Sequence, residues 1–281
     1  MKIHSILSPS KAFSLMFALM LLVPGKALSQ RVLDIDLWPD KPQYDSANKA
    51  DTARVRVFLP SGKGAVGRAV VMCPGGGYSG LSLGHEGYEW ANFFNSQGIA
   101  LIVLKYRMPH GNRHVPISDA EEAMRLVRRN AKDWHIDPND VGIMGFSAGG
   151  HLASTIATHS KDDARPNFQI LIYPVITMQP SFTHMGSHNN LLGKGASKGE
   201  EEWFSNEMQV KDDTPRAFIA LSDDDEEVEP ANSVNYYLAL LKHHVPANLL
   251  VYPSGGHGYG INTSFKYHYE LLNELQKWLK D

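Results

Sequence analysis

The run Val141-Gly142-Ile143-Met144-Gly145-Phe146-Ser147-Ala148-Gly149-Gly150 joins an apolar stretch to a glycine-flanked serine and then to a helical pattern. Its first residues, apolar with little alternation, read as a strand buried on both faces, as in a parallel sheet. Gly145 to Gly149 fits G-x-S-x-G. A serine on a tight strand-to-helix turn projects its hydroxyl from the end of the sheet, and flanking glycines avoid collision with the neighbouring strand and helix. The helix that follows turns its positive end toward an oxygen that gains charge during attack. A glycine-rich turn that only packs closely would read the same way, so the surroundings decide.

Working outward, six further β-branched or apolar runs alternate with helical patterns: Val55 to Leu59, Ala69 to Cys73, Ile99 to Leu104, Phe168 to Tyr173, Ala217 to Leu221 and Asn248 to Tyr252. Ser118 with Glu121 has the spacing of a capping box, ahead of Ala120, Ala123, Met124, Val127, Ala131 and Trp134 at helical spacing. Trp90, Phe93 and Phe94 form a stripe ending at Gly98, Val234 to Leu241 another, and Leu271 to Leu279 a third. This alternation predicts one layered α/β domain with a mainly parallel sheet. Residues 175–214 break the rhythm and are expected to be a lid or a simple surface insertion.

A serine hydroxyl needs a base, and the base an orienting carboxylate. The run ending at Tyr252 leads into Pro253-Ser254-Gly255-Gly256-His257-Gly258, which presents a histidine between glycines on a loop. The run ending at Leu221 leads into Ser222-Asp223-Asp224-Asp225-Glu226-Glu227-Val228. Ser147, an aspartate and His257 thus follow three different strands in that order. Asp225 is the favoured acid, with Asp224 as its rival. The bland alternative is that the acidic run forms a solvated face, and calcium is not expected there because EF-hand spacing is absent. Ala69 to Cys73 ends in Pro74-Gly75-Gly76-Gly77-Tyr78, whose glycines can aim backbone N–H groups at a carbonyl oxygen. Gly76, Gly77 and Ala148 are the expected oxyanion donors. A phosphate loop is excluded because no Lys follows the glycines.

The other histidines carry weaker readings. His184 and His188 sit four apart and His243 is next to His244, but neither pair has the Glu of H-E-x-x-H, so no metal is expected. His151 reads as a packed helix residue and Cys73 as core. Trp203 and Phe204 read as a lid packed on its own aromatics or as a sugar-stacking platform.

A formal net charge of -3 leaves no electrostatic footprint for nucleic acid, and a single cysteine excludes an internal disulfide framework. Lys2 and Lys11, the apolar run Ala12 to Val23 and Ala27-Leu28-Ser29 have the layout of a signal peptide over residues 1–29, cut before Gln30. Twelve apolar residues fall short of the roughly 20 that a membrane span requires. Removing the three lysines of residues 1–29 leaves 24 basic against 30 acidic residues, a net -6 for residues 30–281, which are expected to be secreted or periplasmic.

Taken together, these motifs resemble the α/β-hydrolase esterase/lipase family, and within it the secreted carbohydrate-esterase branch of acetylxylan and feruloyl esterase-like proteins. The matching pieces also include Leu37-Trp38-Pro39, Gly186-Ser187, Asn190-Leu191-Leu192-Gly193, and Asn232-Ser233 with Tyr236-Tyr237. Glu229 departs from the pattern, where a second proline is common. The resemblance implies an eight-stranded sheet, Ser147, Asp225 and His257 as a triad, no cofactor, and a small-molecule or oligosaccharide ester as substrate, with acetyl or short acyl groups on xylan favoured. A general short-chain esterase or lipase, a peptidase of the same fold, a xylanase-type glycoside hydrolase and a non-catalytic carbohydrate-binding module are the competing readings.

Overall fold

The computed structural model describes residues 31–61 and 64–281; the expected signal peptide lies outside the described residues. Eight strands form one sheet: β1 (Arg31–Asp36), β2 (Arg54–Leu59), β3 (Ala69–Cys73), β4 (Ala100–Lys105), β5 (Val141–Phe146), β6 (Phe168–Ile172), β7 (Arg216–Ser222) and β8 (Ala247–Tyr252). Their spatial order is β1-β2-β4-β3-β5-β6-β7-β8. The pairs β1–β2 and β2–β4 are antiparallel and the rest are parallel. Every residue of β3, β5 and β6 is buried, which is why their sequences are continuous apolar runs.

The two-residue period of a strand sends neighbouring side chains to opposite layers. On β3, Ala69, Val71 and Cys73 face one hydrophobic cluster, with Ala120, Met124 and Val127 from α2 (His114–Arg129), Leu152 and Ile156 from α4 (Ser147–His159), and Tyr236 and Leu240 from α7 (Ala231–Lys242). Val70 and Met72 face the other, with Phe94 from α1 (Ala91–Asn95) and Leu271, Leu275 and Trp278 from α8 (His268–Trp278). Truncating a buried Phe94 to alanine removes contacts on that second layer, a change that costs about 3–5 kcal/mol in such cores.

Three elements differ from the sequence expectation. The edge strand β1 was not foreseen, because half of Arg31-Val-Leu-Asp-Ile-Asp36 is charged, none of it is fully buried, and it has a partner on one side only. Its charges pair across to β2 through Asp34–Arg56 and Asp36–Arg54. The capping box at Ser118 is not formed. Helix α2 starts at His114, and the Ser118 hydroxyl donates to Val115 O within it. Pro116 falls in its first turn, where no N–H is missed, so the helix begins upstream of the box. The expected continuation to Trp134 is broken at Asn130, and α3 (Ala131–Trp134) is a separate turn.

Leu37-Trp38-Pro39 is tied down by a buried ion pair. The Trp38 indole donates to Asp119, whose carboxylate is also gripped by Arg107 at 2.7 Å. Residues 175–214 hold α5 (Met185–Leu192) and α6 (Lys198–Trp203). Ile176, Met178, Leu191 and Phe204 of this stretch are buried. The spacing Ser197-x-x-Glu200 does form a capping box here, a sequence signal that would have located α6. No helix among the described residues is long and apolar enough to cross a membrane.

Candidate active site

Strand register brings the three motif loops to one end of the sheet. Cys73 pairs with Gly145 at the ends of β3 and β5, and Ser222 with Tyr252 at the ends of β7 and β8. The chain turns sharply between β5 and α4, and Ser147 takes the left-handed φ of +51°. Glycine is required on both sides of it. A Cβ at Gly145 would lie 2.1 Å from Gly149 O, and one at Gly149 would lie 2.1 Å from Cys73 O. The turn holds a non-glycine residue in a costly conformation because strand and helix fix it from both sides.

The Ser147 hydroxyl lies 2.8 Å from His257 Nε2, and His257 Nδ1 lies 2.7 Å from Asp225 Oδ2. A carboxylate beside Nδ1 requires the proton there, which leaves Nε2 free to accept from the serine. The Asp225 side chain is 1% exposed, and its other oxygen accepts N–H bonds from Glu227 and Val228. Asp224 does not meet the imidazole. It is solvent-exposed and accepts N–H bonds from Gly255 at 3.2 Å and Gly256 at 2.8 Å, which hold its carboxyl below the usual carboxylate range. The two acids are thus separated by position: Asp225 bonds the imidazole, and Asp224 bonds the loop that carries it.

The glycine loop after β3 lies against Ser147, since a Cβ at Gly75 would come within 3.0 Å of the serine Cβ. Gly76 and Gly77 have φ of +135° and +62°, a backbone that only glycine enters without strain. Their N–H groups take no part in the loop's own backbone bonds, which run from Ser79 and Gly80 back to Gly76 O and from Ser82 back to Gly75 O. Ala148 stands at the start of α4, where backbone N–H groups have no acceptor in the helix. These are the three residues that the sequence reading placed as oxyanion donors.

The site also contains residues that the sequence reading did not place. Asn190 of α5 donates to Gly77 O at 2.8 Å, and the His184 ring lies against Gly77. His184 Nδ1 accepts the Ser187 N–H and so caps α5. Burial lowers its pKa, with the nearby His257 adding to the effect and Glu227 and Asp225 opposing it. Glu86 and Tyr173 stand behind the glycine loop and His257, joined by a 2.8 Å hydrogen bond. Sequence alone does not assign these four to the site, because Asn190 and Tyr173 meet segments distant in the chain. The cavity of about 490 Å³ lined by Trp38, Asp45, Lys49, Asp51 and Arg107 contains none of Ser147, Asp225 or His257 and is not this site.

Several of the remaining histidines have side-chain partners. His188 bonds Glu201 at 3.0 Å and so joins α5 to α6, and His243 bonds Asp212 at 2.7 Å. Trp203 is 57% exposed beside His159, while Phe204 is buried beneath it. His151 is packed in its helix as expected, fully buried, and its ring bonds outside that helix: Nδ1 contacts the Tyr78 hydroxyl at 2.9 Å and Nε2 the Phe204 carbonyl at 2.8 Å. Burial lowers its pKa to about 4 from 6.5, the Phe204 carbonyl opposing the shift and His159 adding to it.

Below pH 6.5 the unfolded chain therefore takes a proton at His151 that the folded protein refuses until about pH 4. Stability from this residue is complete above pH 6.5 and falls as pH drops through that window, by up to about 3 kcal/mol. Urea unfolding at pH 7 and 4.5 should show wild type losing about 2 kcal/mol more than His151→Gln over that interval. Equal losses would contradict the assignment.

With the geometry in place, the chain can be set beside known proteins. Residues 55–240 match the BD-FAE family. The chain belongs to this family of α/β-hydrolases. Acetylxylan esterase of Xylanibacter ruminicola is 48% identical to this BD-FAE protein over 232 residues, 81% of this chain and 48% of that one. Endo-1,4-beta-xylanase B of Butyrivibrio fibrisolvens is 36% identical over 204 residues, 67% of this chain and 32% of that one. The BD-FAE chain thus spans half or less of the length of these two relatives. Among solved structures, the acetyl ester-xyloside bifunctional hydrolase of Caldicellulosiruptor lactoaceticus superposes with a TM-score of 0.83 at 34% identity, covering 90% of this chain and 97% of that one.

Proposed function

We propose that this BD-FAE protein is a serine carboxylic-ester hydrolase that removes acetyl or similar short acyl groups from xylan. The observation that carries the reading is the continuous hydrogen-bonded row Ser147–His257–Asp225 beside the Gly75–Gly77 loop. In this reading His257 Nε2 takes the Ser147 proton as the hydroxyl oxygen attacks the ester carbonyl. The tetrahedral oxyanion is met by the N–H groups of Gly76, Gly77 and Ala148, helped by the positive end of α4. Asp225 stabilises the imidazolium. His257 then returns its proton to the departing alcohol oxygen, and the acyl group stays on Ser147. Water, deprotonated by His257, attacks that acyl carbon, and the acid departs as the Ser147 oxygen takes that proton back from His257.

The names of the acetylxylan esterase and of the acetyl ester-xyloside hydrolase support the acyl and sugar parts of this reading. The xylanase relative raises glycoside cleavage as a rival, which needs two carboxyl groups flanking the scissile bond. Beside this site, Asp225 is committed to His257 and two backbone N–H groups, and Glu86 to Gly75 and Tyr173. Neither is free for that chemistry.

The basic start and apolar run of residues 1–29 support an exported form beginning at Gln30. The test uses that form, whose mass in the exported fraction checks the start. Acetate release from acetylated xylo-oligosaccharides should exceed acid release from long-chain lipid esters by about tenfold or more in kcat/KM, the size expected of a few unfavourable methylenes. The opposite ranking, or new reducing ends from unsubstituted xylan, would overturn the assignment.

A further inference from the structure

Beside the site lies a buried carboxylate that the reaction sequence above does not use. Glu86 is 3% exposed, and neutral donors take both of its oxygens. Oε2 accepts the Gly75 N–H at 2.9 Å, and Oε1 accepts the Tyr173 hydroxyl at 2.8 Å. The Tyr173 oxygen in turn accepts the Gly260 N–H at 2.7 Å, so its own proton is directed at Glu86. Burial, with the charge of Glu86, pushes the Tyr173 phenol well above its usual range and keeps it a donor.

The two ends of this chain of bonds fall on the two loops that the chemistry must hold in register. Gly75 precedes the oxyanion donors and abuts Ser147, while Gly260 closes the loop carrying His257. The Tyr173 ring also lies 4.7 Å from the His257 ring, centroid to centroid. Tyr173 holds a φ of +37°, an uncommon conformation for a bulky residue, at the point where it must reach both partners. The seam is tight: Ile261 N–H donates to His85 O at 3.0 Å, and a Cβ at Gly260 would lie 2.4 Å from that oxygen.

Filling the volume would require only an apolar side chain. Two acceptor oxygens aimed in two directions do something else, because each fixes a different loop, and bonds to an ionised acceptor are about twice as strong as neutral ones. We propose that Glu86 is a positioning residue for ester hydrolysis: it locks the Gly75–Gly77 loop and, through Tyr173, the His257–Gly260 loop into one hydrogen-bonded frame. The inference rests on the reading of Ser147 as the nucleophile.

The test compares wild type, Glu86→Gln, Tyr173→Phe and the double variant on 4-nitrophenyl acetate, with reactive serine counted by a fluorophosphonate. Glutamine keeps the volume but offers one acceptor where two donors converge. Its kcat per labelled serine should fall about 10–100-fold, below the loss of a whole oxyanion donor, with KM within about threefold because the frame matters in the transition state. Tyr173→Phe should fall about five- to tenfold, and the double variant should match Glu86→Gln within about twofold, since both lie on one chain of bonds. A kcat per labelled serine within about twofold of wild type in Glu86→Gln, with loss confined to the labelled fraction, would overturn the proposal. So would losses that multiply in the double variant. If Glu86→Gln does not fold, Tyr173→Phe decides by the same twofold criterion. Turnover by wild type without labelling of Ser147 would instead overturn the nucleophile reading and this inference with it.

Discussion

Ser147→Ala is expected to lower kcat on a short-chain aryl ester by about 10⁵–10⁶, the scale seen when a serine nucleophile is removed. The loss should not come from unfolding. Alanine keeps the Cβ, so the left-handed φ of +51° is no more strained than before, and only the 2.8 Å bond to His257 is lost. Ser147 is 7% exposed and points at the site rather than into the core, so no cavity opens beneath it. Thermal unfolding within a few degrees of wild type and no fluorophosphonate labelling are the accompanying expectations. Activity equal to wild type in a folded alanine variant would remove the serine from the chemistry.

The second large effect separates two adjacent acids. Asp225→Asn should lower kcat by about 10⁴, because an amide facing Nδ1 can stabilise the tautomer whose Nε2 carries the proton and cannot accept one from Ser147. Asp224→Asn should cost less than about tenfold. Asp224 is exposed and serves the Gly255 and Gly256 N–H groups, and asparagine retains one acceptor for that purpose. The pair is measured side by side with titrated enzyme, so that differences in folding cancel. If Asp224→Asn proved the more damaging, the loop would have to adopt another arrangement during turnover and the orienting role would pass to Asp224.

Much of this site is legible in sequence because its constraints are local. Gly145 and Gly149 are dictated by contacts within a few residues or with the adjoining strand. The apolar runs of β3, β5 and β6 follow from burial on both faces. His257, between glycines after β8, follows from the same logic of a side chain presented on an unobstructed loop. Local reading failed for two different reasons. Strand β1 is half charged and is held as a strand by its pairing with β2, whereas Pro116 lets α2 begin upstream of the capping box that the spacing suggested.

The sequence by itself thus determined the layered architecture, the serine turn, the histidine loop and their order along the chain, since each is written in neighbouring residues. Only the tertiary structure decided that Asp225 rather than Asp224 meets the imidazole, and that Glu86, Tyr173, His184 and Asn190 pack against the loops of the site. The reason is geometric: adjacent residues on a loop point in different directions, and which one reaches His257 is set by the pairing of β7 with β8. A contact between Glu86 and Tyr173, 87 residues apart, exists only once the sheet has brought the loop after β3 beside the end of β6.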